Sequence, residues 1–416
     1  MIRVSSIFSQ MLQLFSRTEF ERAVVEHRAE RHARGFTCWG QFVAMLFCHL
    51  GRAQSLREIC GGLAASEGKL RHLGLPDAPK RSTLAYANEH RPWQLYRGVF
   101  YQLLGRCREV AGGHGFRFKN KLLSLDATLI ELCATVFDWA QYRRTKGAVK
   151  LHLMLDHQGL LPSYAVVTEG RVHEGRIACR LRFEPGTIVV FDRGFTDYAW
   201  FASLDADGVF FVTRIKDNAD YGVLERRPVP ERGCVQRDEI IFLYKVARAG
   251  EHDLFLRRIE VWDEAQQRTL VFLTNHRHFA ASTIAAIYRQ RWQIELFFKA
   301  LKQNLRIKTF VGSNPNALHI QVWTALIALL LLKYLQLRAR FGWSLSNLAA
   351  LLRQQLFVYR DLWEWDRSAL PAAPRRADSF FLVKQLGQQK RQPQLCTPIE
   401  KLKMPQFLLS WDLDSG

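Results

Sequence analysis

The chain has 416 residues, of which 48% are hydrophobic and 24% charged. That is enough for two or three domains with a sizeable core, and it excludes a disordered chain. Lysine and arginine number 59 against 39 acidic residues, a net charge of +20. Such an excess favours polyanions, because each neutralised phosphate releases condensed counterions. Nucleic acid is the first partner this suggests, with a merely basic soluble protein or a membrane-surface one as the alternatives.

From Thr18 to about Gly115 the pattern is helical. TEFERAVVEHRAERHARGF reads as a basic amphipathic helix starting at Thr18, with Glu21 closing a capping box. CWGQFVAMLFCHLGRAQSLREICGGL reads as a more buried pair broken at Gly51 and Arg52. STLAYANEHRPWQLYRGVFYQLLGRC has a start signal at Ser82 and a break at Pro92. These short helices read either as a helix-turn-helix-like DNA-binding unit or as a helical cap on the rest.

The period changes near Phe116. FKNKLLSLDATLIEL, AVKLHLMLDHQGLLPSYAVVT and GTIVVFDRGF read as strands, with a hairpin turn at His157-Gln158-Gly159. EGRIACRLRF and TDYAWFASLDADG read as helices flanking the third of these segments, and VFFVTRI adds another strand. Residues 216–275 carry further strand character in IIFLYKVARAG, LFLRRIEVWD and TLVFLTN, which reads as an inserted β-domain. Helix returns at Ala280 and runs to about Arg360, followed by a looser basic tail. VWTALIALLLLKYL is interrupted by Lys333 and short of about 20 apolar residues, so it reads as a buried core helix rather than a membrane span. The first fifteen residues lack the pattern of a signal peptide. The eight cysteines are scattered, with no CxxC pair or Cys/His cluster, so structural zinc is not expected and a reducing cytoplasm is.

Three acids stand out by context. Asp126 interrupts an apolar strand, Asp192 ends another, and Glu295 lies in the late helix YRQRWQIELFFKALK. At roughly 100° per residue, Tyr288, Arg291, Glu295 and Lys302 form one polar stripe bordering the apolar stripe of Ile287, Ile294, Phe298 and Leu301. Singly, each acid also reads as an edge residue, a turn residue or an intrahelical ion-pair partner. Carboxylates in apolar surroundings are costly unless they pair with a cation. Three converging carboxylates without His or Cys form a hard oxygen site suited to Mg²⁺ or Mn²⁺ and to phosphodiester chemistry.

The spacing Tyr288, Arg291, Glu295, Lys302 resembles the YREK signature of DDE transposases of the insertion-sequence-four type. SLDATLIELC around Asp126 and VVFDRGFTDYAWF around Asp192 are similar to that family's first and second acidic regions, and FLTN to the segment before its last core helix. The resemblance covers about Ser124 to Leu335. It implies an α/β fold: an RNase H-like catalytic core (118–215 and 276–345) interrupted by the β-rich block 216–275. A helical, DNA-binding region 1–117 would precede it, and a helical, basic region 346–416 would follow. It further implies that Asp126, Asp192 and Glu295 bind two divalent ions, Mg²⁺ with Mn²⁺ as substitute. Tyr288, Arg291 and Lys302 would grip DNA phosphates, joined on helical phase by Lys299.

A transposase would bind the terminal inverted repeats of its insertion sequence, cut the ends and join the free 3′-OH to target DNA. Its partners would be double-stranded DNA and a second copy of the chain in a synaptic homodimer, in the bacterial cytoplasm or nucleoid, with no membrane. In relatives that form a hairpin, a Trp of the inserted domain stacks a flipped base, and Trp262 is the Trp of that block here. Where relatives usually carry Asp after the His of EGRVHEGR, this chain has Glu174. Arg143, Arg144 and Lys146 fall in an expected loop, either gripping DNA or merely solvated. A related nuclease or integrase, or a non-catalytic DNA-binding protein, would share part of these features.

Overall fold

A computed structural model describes residues 5–367 apart from 32, 34, 67, 133–140, 144–145, 245–253, 305–309 and 340–341. The fold is mixed α/β, with one large sheet and helices against both of its faces. The tail segments WDRSALPAAPRRADSF, beyond its first three residues, and QQKRQPQL lie outside the described residues.

Six helices open the chain: α1 (Ile7–Leu12), α2 (Arg17–Glu26), α3 (Cys38–Leu50), α4 (Leu56–Ala64), α5 (Arg81–His90) and α6 (Gln94–Val110). Hydroxyl caps set several starts. Thr37 Oγ1 accepts from Gly40 N at 3.1 Å, and Ser55 accepts from Glu58 N while Glu58 returns a bond to Gln54 N at 2.9 Å. The expected start at Thr18 is corrected to Ser16, whose extended backbone lets its hydroxyl accept from Glu19 N. Ser82 is likewise inside α5, which begins at Arg81 without a side-chain cap.

The strands are β1 (Leu122–Leu132), β2 (Gln141–Arg143), β3 (Lys146–Asp156), β4 (Leu161–Glu169), β5 (Ile188–Phe191) and β6 (Phe210–Arg214). They continue with β7 (Tyr221–Arg226), β8 (Val235–Leu243), β9 (Phe255–Asp263) and β10 (Arg268–Thr274). Between them lie α7 (Glu174–Ala178) and α8 (Tyr198–Ala206). After them come α9 (Ala281–Gln290), α10 (Trp292–Asn304), α11 (Pro315–Arg338), α12 (Leu345–Gln355) and α13 (Leu362–Arg367). Arg143 and Lys146 belong to the paired strands β2 and β3, not to a loop, while Arg144 lies outside the described residues.

The sheet runs β2-β3-β1-β5-β6-β10-β9-β8-β7, with β4 also pairing β3. β1, β5 and β6 are parallel, and β3 and β4 are antiparallel. Alternation along β1 and β5 splits the side chains between two layers. Leu125, Val189 and Phe191 pack with Phe201 and Leu204 of α8, whereas Leu122, Ile188 and Val190 pack with Ile284 and Ile287 of α9. The expected β-rich block 216–275 supplies β7 to β10, which continue the sheet through antiparallel pairing of β10 with β6.

α11 is the expected core helix. It is 24 residues long, Asn314 caps it and Pro315 begins it. It is also long and apolar enough to cross a membrane, yet 89% of its most apolar window is buried against other elements. The N-terminal helices close over it: His49 bonds Thr324 at 3.0 Å, and Asn316 Nδ2 donates to the carbonyls of Asn88 and Arg91. Lys333 lies buried there, its amine pushed down to about 8 by desolvation, and it donates to Gln336 at 2.8 Å.

Buried ion pairs stitch β8 to β9. Arg257 Nε and Nη2 grip both Asp238 oxygens at 2.8 and 2.6 Å, and its Nη1 donates to Phe279 O at 2.6 Å. One side chain thus fastens the outer strands to the loop that leads into α9. Removing one member of such a pair strands a buried charge, at a cost of about 3–5 kcal/mol. Asp238→Ala is expected to lose stability on that scale in urea titration, and Asp238→Leu with Arg257→Met to lose markedly less. Equal losses would mean that the pair does not act as a unit.

Candidate active site

The two strand acids are brought together by register. Parallel pairing of β1 with β5 ends at Leu125 opposite Phe191, so the next residues, Asp126 and Asp192, fall side by side on strands about 4.8 Å apart. Asp192 keeps extended angles (φ −78°, ψ 161°) before the 3-10 turn of Arg193–Phe195. Both acids therefore alternate away from Leu125 and Phe191, onto the face that α9 covers. Asp126 is largely buried, and its Oδ1 accepts from Ala127 N at 2.8 Å. Burial pushes its carboxyl up to about 6; the Ala127 amide and Arg291 pull it down, and Glu295 and Asp192 push it up further.

The late helix is not continuous as its sequence suggests. Arg291 separates α9 from α10, with Arg291 N bonding Tyr288 O at 3.0 Å and Ile294 N bonding Arg291 O at 3.1 Å. These i to i+3 bonds tighten the turn locally to 3-10 geometry. From this joint Arg291 Nη1 reaches Asp126 Oδ2 at 3.3 Å, and Nη2 donates to Glu295 Oε1. Its Nε is buried without a hydrogen-bond partner among the described residues. The guanidinium also lies 5.7 Å from the Tyr288 ring centroid. Tyr288 is buried against Phe272 at 4.9 Å; burial raises its phenol, Arg291 opposes that and Asp192 adds to it.

The structure thus brings Asp126, Asp192, Tyr288, Arg291 and Glu295 to one place. Lys302 is half-buried on α10 and Lys299 is exposed. Trp262 is not brought to the carboxylates. Its neighbours in alternation, Ile259 and Val261, pack with α9, so Trp262 points from the opposite face of β9, 37% exposed. Trp292, three residues before Glu295 on α10, is 58% exposed and was overlooked, although an aromatic beside a polar stripe was a readable signal. Arg214 was overlooked too. It ends β6 with its Nε buried and unpartnered among the described residues, and its charge acts on Tyr288. Glu174 bonds Lys150 at 3.1 Å, and its other oxygen lies against Gly194, two residues past Asp192. His173 caps α7, accepting from Gly175 N at 3.1 Å.

Residues 117–331 match the family described as Transposase DDE domain. The chain belongs to that family. It is an enzyme of DNA cleavage and strand transfer, and DDE transposases work with divalent metal ions. The transposase-family protein y4zB of Sinorhizobium fredii (strain NBRC 101917 / NGR234) is 31% identical over 311 residues, spanning 73% of this chain and 85% of that one. The protein of Geobacillus stearothermophilus named for insertion sequence element IS5377 is 27% identical, spanning 61% of this chain and 67% of that one. The Synechocystis sp. (strain ATCC 27184 / PCC 6803 / Kazusa) protein named for element IS4SA is 24% identical, over 63% and 73%. Residues 3–76 match a domain of unknown function, DUF4372.

The donor set is all carboxylate oxygen, the chemistry of a hard divalent ion. Among the described residues, however, no three His, Cys, Asp or Glu side chains stand close enough together to hold a metal. The guanidinium of Arg291 lies between two of the acids.

The elevated Asp126 carboxyl gives a stability prediction. The folded state holds this proton between about pH 4 and 6 whereas the unfolded chain releases it, so stability is lost as pH rises through 6. In chelator, Asp126→Asn is expected to gain stability over the transposase as pH goes from 4 to 7, by on the order of 3 kcal/mol at most. Parallel pH profiles of the two urea midpoints would refute this.

Proposed function

We propose that this transposase binds the terminal inverted repeats of its own insertion sequence, cleaves the ends and transfers the 3′-OH to target DNA. The core is read as RNase H-like and the chain as of the insertion-sequence-four type. The observation that carries this reading is the convergence of Asp126 and Asp192, from adjacent parallel strands, with Glu295 tied to Asp126 through Arg291. β1, β5 and β6 in parallel, with β3 and β4 antiparallel at the side of β1, support an RNase H-like order.

Asp126, Asp192 and Glu295 would hold two Mg²⁺ or Mn²⁺ ions. These would activate the attacking hydroxyl and stabilise the leaving oxygen of the phosphodiester. Asp126 is fixed within paired β1, Asp192 directly follows the last residue of β5, and Glu295 is held on α10. Arg291 and Lys302, with Lys299 exposed beyond them, would neutralise backbone phosphates on either side of the scissile bond, and the Tyr288 hydroxyl would donate a hydrogen bond to one. The net charge of +20 supports the same substrate. The helices of 1–117 would carry further DNA contacts, and two copies would pair the element's ends. A base-stacking role for Trp262 lacks support from its face of the sheet.

The test is cleavage of DNA bearing the inverted ends that flank the reading frame, with and without Mg²⁺. The wild type is expected to cut only with the ion, and Glu295→Gln to bind the ends but cut at least about 1,000-fold more slowly. Equal cutting by both proteins would remove Glu295 from the site; binding without cutting by both would leave a DNA-binding protein. For the phosphate grip, Lys302→Ala is expected to weaken binding to all sequences alike and to lower the salt slope by about 1.

A further inference from the structure

We infer that Arg291 is a resident counter-ion for the catalytic acids, which divalent ions must displace, and that the displaced guanidinium is taken up by the DNA backbone. Ion and DNA would then load cooperatively. The inference rests on the reading that Asp126 and Glu295 are metal ligands.

Arg291 occupies the oxygens that an ion would use. Its Nη1 stands 3.3 Å from Asp126 Oδ2 and its Nη2 bonds Glu295 Oε1. Asp126 Oδ1 is engaged as well, by the Ala127 amide. Among the described residues the three acids, although neighbours, do not form a metal-holding group. A dication at about 2.1 Å from those oxygens would share them with a fixed positive charge, which repels it and competes for the same lone pairs. An arginine cannot leave by losing its proton, so it has to move.

It is placed to do so. Arg291 sits at the joint between α9 and α10, which i to i+3 bonds span. Its Nε has no partner among the described residues, so the present pose leaves one of its donors unsatisfied. A guanidinium released from carboxylates needs another planar anion, and a phosphodiester offers bidentate geometry. In one exchange the carboxylates pass from arginine to metal, and the arginine passes from carboxylate to phosphate. By linkage, DNA then tightens metal binding by the same factor as metal tightens DNA binding.

The measurement is Mn²⁺ affinity of the full chain, from the electron paramagnetic resonance of free Mn²⁺, alone and with a pre-cut duplex ending at the element's terminus. DNA is expected to tighten Mn²⁺ for the wild type by about 10-fold or more. Arg291→Gln is expected to bind Mn²⁺ more tightly than wild type without DNA, with DNA adding less than about 3-fold. Thermal melting in chelator checks that each variant is folded. Weaker or equal Mn²⁺ binding by folded Arg291→Gln without DNA, or a wild-type affinity indifferent to DNA, overturns the inference. Glu295→Gln serves as the separate control: if it binds Mn²⁺ as well as wild type, the metal-ligand reading itself has failed, whatever Arg291 does.

Discussion

Parallel pairing of β1 with β5 is the constraint on which the site depends. A shift of one residue in that register would turn Asp126 or Asp192 toward the apolar layer under α8, among Phe191, Phe195 and Phe201. Large side chains on both faces forbid such a slip, because each strand has a well-packed partner layer above and below. The acids are therefore held in place by hydrophobic packing that never touches them. Their cost is visible in Asp126, whose burial outweighs the pull of a nearby arginine.

The second organising element is α11. A helix buried on nearly all sides has little solvent face to offer, so it has to be surrounded, and the N-terminal helices α3, α5 and α6 do this together with α12. The N-terminal region and the sheet-bearing region thus share one core rather than meeting at a polar boundary. Polar groups that enter that core include His49, Thr324 and Lys333, which find partners within it.

Much of this was legible in the sequence, for identifiable reasons. A charge inside an apolar strand is conspicuous, which is why Asp126 and Asp192 could be singled out before any strand was placed. The buried fate of VWTALIALLLLKYL was likewise readable from Lys333 and its length. Capping was not, because Ser16-Glu19 and Thr18-Glu21 offer the same box two residues apart, and only the backbone angles choose between them. The joint at Arg291 has no Gly or Pro to announce it, so a straight helical wheel was assumed. The grip of Arg257 on Asp238 joins two strands through tertiary geometry, which no local pattern encodes. The face of Trp262 depends on strand parity within a sheet whose order could not be known beforehand.

The fastening of the 276–279 loop by Arg257 has a mechanical consequence. That loop is also held by His276, stacked 3.8 Å from Phe279 and tilted against Phe210 at 4.3 Å, with its Nδ1 accepting two backbone amides. The outer strands β8 and β9, the start of β6 and the loop leading into α9 are thereby fastened into one bracket. The bracket leads directly into the helix that bears Tyr288 and, past its joint, to Arg291. The outer strands are therefore tied to the helix that leads to Arg291 through a single buried guanidinium.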